Sequence, residues 1–247
     1  MAQVRVGIGG WDYAPWRETF YPKDVPIKKQ LEYASSQLTS IEINGTFYRS
    51  AKPEHFASWA EKTPDDFVFA VKATRYATNR KVLAEAGESI ARFMDSGLSE
   101  LGDKLGPILW QLANTKRYDP DDLEAFFQLL PPKLGKRKLQ HVLDARHDSF
   151  LCDDYLKLAK KYQVATVITD SPKFPHFEAI TGEFVYARLM AAQSEIATGY
   201  SKPALKQWAR QAQDWQQQAK SGQVYLYFIN GAKERAPAAA QHLLGLL

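Results

Sequence analysis

"SIEINGTFYRS", residues 40–50, alternates polar and apolar side chains: Ser40, Glu42 and Asn44 take one set of positions, Ile41 and Ile43 the other, and Gly45 ends the run. Successive side chains of a strand point to opposite faces, so one face of this segment is apolar and the other carries an acid. A strand covered on both faces ordinarily reads as a continuous run of Val, Ile and Leu. Burying an unpaired carboxylate costs several kcal/mol or holds it protonated. Glu42 therefore needs water, a partner or a chemical task.

Seven further strand-like runs accompany this one: "VRVGIG" (4–9), "FVFAVK" (67–72), "GPILWQL" (106–112), "LQHVLDA" (139–145), "VATVITD" (164–170), "FVYARL" (184–189) and "VYLYFIN" (224–230). Helical periodicity fills most of the intervals, at 27–37, 53–61, 82–101, 121–130, 152–162, 203–220 and 236–246. The 203–220 segment is bounded by Ser201 and Pro203 at its start and Gly222 beyond its end. The interval 171–183, "SPKFPHFEAITGE", has two prolines and no helical stripe, so the sixth helix is expected to be weak or missing. Strands alternating with helices build a parallel sheet with right-handed crossovers, and eight repeats in about 250 residues match a (β/α)₈ barrel. A doubly wound sheet fits less well, because "GIGGWDYAPW" lacks the third glycine of a dinucleotide-binding turn. The expectation is an α/β fold: a single TIM-like barrel domain over residues 1–247.

In such a barrel the apolar alternate residues pack against the helices and the other set points inward. That parity turns Glu42, Asn44, Lys72, Gln111, Asp144, Arg146 and Arg188 inward, mostly in the last positions of their strands, the end where barrel enzymes build their sites. Glu42 then belongs to a ring of charges at the barrel mouth.

Composition narrows the classes. The chain has 247 residues, 45% of them hydrophobic, enough for a sizeable core. No run approaches the ~20 apolar residues of a membrane span. "MAQVRVGIGG" shows no signal-peptide pattern, so the expected compartment is the cytoplasm. With 32 basic and 28 acidic residues, the basic runs "KLGKRK" and "PIKKQ" read as solvated surface, and nucleic acid is not an expected partner. The single Cys152 can form no internal disulfide and, although it opens a helix, reads as ordinary.

The segments "GGWDYAPWRETFYP", "EINGTFYR", "FAVKATRYATN", "LGDKLGPILWQL", "DARHDSF", "VITDSP" and "VYLYFIN" occur in order along nearly the whole chain, which resembles the YecE-like family, domain-of-unknown-function family 72. The resemblance implies a TIM-like barrel and carries no established reaction. It also marks this chain as a divergent member: Asp144 stands where the family usually has Glu, Met190 and Asn79 where it has His, Ala113 and Asn114 where it has two prolines, and Ile229 and Ala239 where it has Asn.

The inward set suggests chemistry. Arg can fork onto a phosphate or carboxylate, and Glu or Asp can hold hydroxyls or move protons. Glu42, Lys72 and Asp144 are the candidate catalytic residues. Trp11, Tyr13, Asn44, Gln111, Arg146, His147, Arg188 and Asn230 are the candidate binding residues, the two aromatics either stacking on a ligand or plugging their loop onto the rim. The expected partner is an anionic or polyhydroxylated small molecule, processed by a hydrolase or lyase type of reaction. The alternatives are a metal-assisted phosphodiesterase resembling apurinic endonucleases, and a non-catalytic scaffold or regulator. Glu42, Asp144, His147 and Asp170 are hard ligands at strand ends, but no H-x-H, H-E-x-x-H or cysteine cluster accompanies them, so no metal or other cofactor is assigned. Two expectations concern energetics: Glu42 pairs with Lys72 on the next strand, and the mouth charges stay solvated enough that losing one costs the fold little.

Overall fold

The computed structural model describes residues 3–247; Met1 and Ala2, within the stretch read for a leader, lie outside the described residues. Eight strands, β1 Gln3–Gly9, β2 Ser40–Ile43, β3 Val68–Lys72, β4 Leu105–Gln111, β5 His141–Asp144, β6 Ala165–Thr169, β7 Val185–Leu189 and β8 Gln223–Phe228, close into a barrel in which β1 pairs with both β2 and β8. All these pairings are parallel. The expected (β/α)₈ barrel is the fold.

The crossovers carry α1 Gln30–Gln37, α2 Pro53–Glu61, α3 Gly87–Met94, α4 Pro120–Leu129, α5 Asp153–Lys161 and α6 Lys202–Gln218, with α7 Ala236–Leu244 after β8. The Ser201 hydroxyl accepts from the Ala204 amide to cap α6, and Gly222, with φ 65°, turns the chain back after it. No helix separates β6 from β7. There Thr181 takes over the docking: its hydroxyl accepts from the Thr166 amide at 2.8 Å and donates to the Val164 carbonyl at 2.7 Å, pinning the loop to the start of β6.

One local expectation is corrected. The single helix expected over 82–101 is broken into a 3₁₀ turn Leu83–Glu85, α3, and a further 3₁₀ segment Leu98–Lys104. The break is at Gly97, φ 106°, where a Cβ would lie 2.6 Å from Pro53 Cα; left-handed backbone and the approach of α2 both require glycine. The basic run "KLGKRK" lies at the surface as expected, where it forms a two-residue antiparallel ladder, Lys133–Leu134 against Arg137–Lys138, with Arg137 on Asp103 and Lys138 on Glu183.

The apolar side chains divide as the parity requires. Val6, Ile8, Ile41, Ile43, Phe69, Val71, Ile108, Trp110, Leu143, Ile168, Ala187 and Leu226 belong to the layer between barrel and helices. Val68, Ala70, Leu109, Val142, Val167, Tyr186, Tyr225 and Tyr227 fill the interior. Interior space is tight beside β1, where Gly7 pairs with Ser40 on one side and Tyr227 on the other. A Cβ on Gly7 would lie 1.9 Å from the Ser40 carbonyl oxygen, so Gly7→Ala must push two backbones apart. We expect a loss of about 3 kcal/mol in urea unfolding; a variant within about 0.5 kcal/mol of the parent would show that the barrel yields there.

Candidate active site at the barrel mouth

Above the interior tyrosines the inward positions turn polar. On β2, Glu42 is fully buried, and both its oxygens are taken from across the barrel by β7: Arg188 Nη2 donates to Oε1 at 3.0 Å, Arg188 Nε to Oε2 at 3.1 Å, and the Tyr186 hydroxyl to Oε2 at 2.7 Å. This is the forked guanidinium–carboxylate geometry. The same guanidinium reaches β5 and β4, with Nη1 donating to Asp144 Oδ2 at 2.7 Å and to Gln111 Oε1 at 3.3 Å. Arg146, just past β5, closes the chain by donating Nε and Nη2 to Asp144 Oδ2 at 3.1 and 2.9 Å. Its guanidinium lies 4.3 Å from the Phe174 ring centre, on the helix-free loop.

This network corrects both energetic expectations. Glu42 pairs with Arg188, not with Lys72, and Arg188 at 2% and Asp144 at 3% exposure share its burial, so the inner part of the mouth is dry. The Arg188 charge is secure: burial works against it, but the carboxylates of Glu42 and Asp144 raise its pKa above the ordinary arginine value.

Lys72, at the end of β3, is 7% exposed. Among the described residues its ammonium donates no hydrogen bond and has no carboxylate within 4.0 Å; its close neighbour is the Phe47 ring, 4.1 Å away. Burial, and then the Arg188 guanidinium, pull its pKa down to about 7, with Glu42 and Asp144 only partly offsetting them. The Asp144 Oδ1 atom likewise accepts no hydrogen bond among the described residues, since all three donors use Oδ2.

The remaining candidates spread around the rim. Asn44 is half-buried and donates to its neighbour's carbonyl, that of Glu42, at 3.2 Å. The His147 ring is fixed by the turn it caps: Nδ1 accepts from the Ser149 amide at 3.0 Å. Asn230 is exposed, beyond β8. Trp11 packs edge-on against Trp59 of α2 and Phe69 of β3, and Tyr13 against Trp16 with the Lys233 ammonium 4.5 Å from its ring, so both sit among other aromatics of the fold. Asp170 is turned away, accepting from the amides of Met190 and Ala191 and from the Tyr200 hydroxyl. Among the described residues no three His, Cys, Asp or Glu side chains are grouped to hold a metal ion. Cys152 is half-buried and makes no capping hydrogen bond at the start of α5.

Outside the ring, a cleft of about 820 Å³ opens between the β3 and β4 loops, lined by Asn79, Arg80, Lys81, Lys116, Arg117 and Tyr118 among others. A cleft of about 730 Å³ at the opposite end, with Arg5, Gln140, Gln223 and Tyr225 in its wall, lies at the N-terminal face, which in barrels is associated with stability.

Residues 5–247 match the family model described as protein of unknown function DUF72. The chain belongs to the DUF72 family. It is 26% identical to the UPF0759 protein YecE of Escherichia coli K12 over 147 residues, 60% of this chain and 50% of YecE, so the chain matches about half the length of that curated relative. Among solved structures it is similar to the DUF72 family protein TM1631 of Thermotoga maritima MSB8, with a TM-score of 0.80 at 21% identity over 98% of both chains. It is also similar to the DUF72 family protein EF0366 of Enterococcus faecalis V583, with a TM-score of 0.77 at 18% identity over 99% of this chain and 95% of that one. At these identities the likeness is one of fold. No helix among the described residues is long and apolar enough to cross a membrane.

Several contributors escaped the sequence reading. Tyr186 is two residues before Arg188 and shares its inward parity, a signal that was available. Phe47 and Phe174 come from a turn and a loop, where no periodicity reports direction. The cations of the outer cleft are dispersed over two loops and form no run.

Proposed function

We propose that the C-terminal mouth of this DUF72 barrel binds a small anionic, hydroxylated molecule, and that Lys72 and Asp144 are the groups that act on it. One observation carries this reading: the charges of the inner mouth balance, two buried carboxylates (Glu42, Asp144) against the buried guanidinium of Arg188 and the half-buried one of Arg146, and leave Lys72 without a counter-ion among the described residues. An anion supplies the missing charge. Arg146 can take the anionic group, while Asp144 Oδ1, Gln111 and Asn44 offer polar atoms to hydroxyls. Glu42 fixes Arg188 in place, and Asp144, with one oxygen free, is the group available for proton transfer of a hydrolase or lyase type. A compartment in the cytoplasm is part of the same proposal.

The test is a thermal-shift panel of phosphosugars, nucleotides and organic acids. At least one phosphosugar or hydroxy acid is expected to raise the melting temperature of the parent and not of Arg146→Ala; a panel without any shift removes the binding role. Because an anion beside Lys72 favours its ammonium, binding at pH 7 should also take up about half a proton per site, read from calorimetry in buffers of different ionisation enthalpy. Binding without proton uptake would place the anion away from Lys72.

One observation favours a second reading, a non-catalytic barrel: Glu42, Arg188 and Asp144 satisfy one another without a ligand. In that case Lys72 should be replaceable with no loss of any ligand response.

A further inference from the structure

Resting on the binding role proposed above, we infer that Lys72 is a covalent anchor whose ε-amine condenses with the carbonyl carbon of an anionic oxo compound seated at the mouth. Burial also lowers the pKa of Lys233, which lies against the Tyr13 and Trp16 rings past β8, but Lys72 is the lysine placed among the charges of the mouth. It stands inside the barrel, its nitrogen is not engaged by any carboxylate or carbonyl among the described residues, and the Phe47 ring at 4.1 Å covers one side without offering an acceptor. Both nearby acids are held by guanidiniums rather than by the ammonium. Desolvation beside fixed cations favours the neutral amine, the nucleophilic form, and the pKa of about 7 agrees with that placement. Exposed lysines behave in the opposite way: Lys161 and Lys220 donate hydrogen bonds to the carboxylates of Glu124 and Glu183, which hold them above the ordinary value, as ammonium.

The step balances without an oxidant. The Nζ lone pair attacks the carbonyl carbon, a C–N bond forms, and the carbonyl oxygen takes a proton as the nitrogen gives one up. The resulting hydroxyl leaves as water after accepting a second proton, and the nitrogen closes a C=N bond that carries a proton in its cationic form. Asp144, whose Oδ1 is free and whose charge already acts on Lys72, is the group placed to take the first proton from the ammonium, which frees the lone pair, and to return it as the second proton on the departing hydroxyl, so that ammonium and carbonyl give the cationic C=N and water with no proton left over. The cation so formed replaces the ammonium, and the guanidinium of Arg146 holds the anionic group.

The test uses a matched pair of probes, dihydroxyacetone phosphate and glycerol 3-phosphate, which differ by the carbonyl. The full chain is incubated with dihydroxyacetone phosphate and sodium borohydride, which reduces an imine to a stable secondary amine, and the adduct is mapped by peptide mass spectrometry. One adduct per chain on Lys72 is expected, forming roughly tenfold or more faster than on exposed lysines. Its rate should rise through pH 7 and level off, and both Lys72→Met and Lys72→Arg should abolish it. Adducts scattered over exposed lysines, or an unchanged rate in Lys72→Met, overturn the inference. Glycerol 3-phosphate separates the two layers of argument: if it stabilises the chain while dihydroxyacetone phosphate leaves Lys72 unmodified, the binding role stands and the covalent role falls. If neither probe acts, the covalent role falls, and the binding role falls with it when the whole panel is also without a shift.

Discussion

Arg188→Met should destabilise the barrel by about 4 kcal/mol, the largest loss expected from a single side chain at the mouth. The guanidinium makes four charge-assisted or polar contacts from a position 2% exposed, and it spans from β7 to β2, β5 and β4. Methionine matches much of its volume but leaves Glu42, fully buried, with only the Tyr186 hydroxyl. A carboxylate in that position either keeps its charge at the expense of solvation or takes up a proton, and each route weakens the fold. Asp144 suffers less, because Arg146 still donates to it twice. The asymmetry gives the experiment its control. Glu42→Leu combined with Arg188→Met removes both members of the principal pair, and replacing a buried ion pair by apolar residues is often neutral or better. The double variant should therefore be more stable than Arg188→Met alone. Urea unfolding of the parent, the two single variants and the double variant decides it: a cost below about 1 kcal/mol for Arg188→Met would mean that water reaches Glu42 and the network is solvated after all.

The same residues show what a sequence can and cannot reveal about such a site. Which face Glu42, Lys72, Asp144 and Arg188 occupy was legible, because a strand has a period of two and the apolar partners Ile41, Val71, Leu143 and Ala187 fix the other face. Which strand ends carry the charges was legible for the same reason. Partnership was not. Adjacency in sequence order made Lys72 the nearest expected cation for Glu42, yet a closed barrel brings β7 opposite β2, and a long guanidinium crosses the interior where a parity argument has no reach. Depth was equally hidden: alternation says that a side chain points inward, while Tyr186, Tyr227 and Phe47 decide how much water accompanies it. The helix over 82–101 failed differently, since its apolar period continues through Gly97, where the chain leaves the helix in a left-handed conformation against Pro53.

Lys72→Met, in contrast, should stabilise the protein at neutral pH. A lysine drawn from the ordinary 10.5 to about 7 by burial and by Arg188 carries an ammonium that the fold disfavours by roughly 4 kcal/mol at pH 7. Methionine keeps the contact with Phe47 and has no charge to desolvate, so a gain of about 3 kcal/mol is expected. The direction with pH follows from proton counting. Between about 7 and 10.5 the unfolded chain holds the proton and the folded chain has released it, so in the parent this group adds stability as pH rises across that window. Below about 7 both states are protonated and the penalty is complete and constant. The advantage of Lys72→Met should therefore be full at pH 6, shrink steadily from pH 7 upward and be nearly gone at pH 10. Urea unfolding of parent and variant at these three pH values isolates Lys72, because every other titrating group is common to both chains. A variant less stable than the parent at pH 6 would mean that the ammonium has a structural partner. A gain independent of pH would mean that the lysine keeps its proton and is no nucleophile. A gain that fades toward pH 10 marks a group kept at a cost to the fold, the pattern of a residue whose use lies in what it binds.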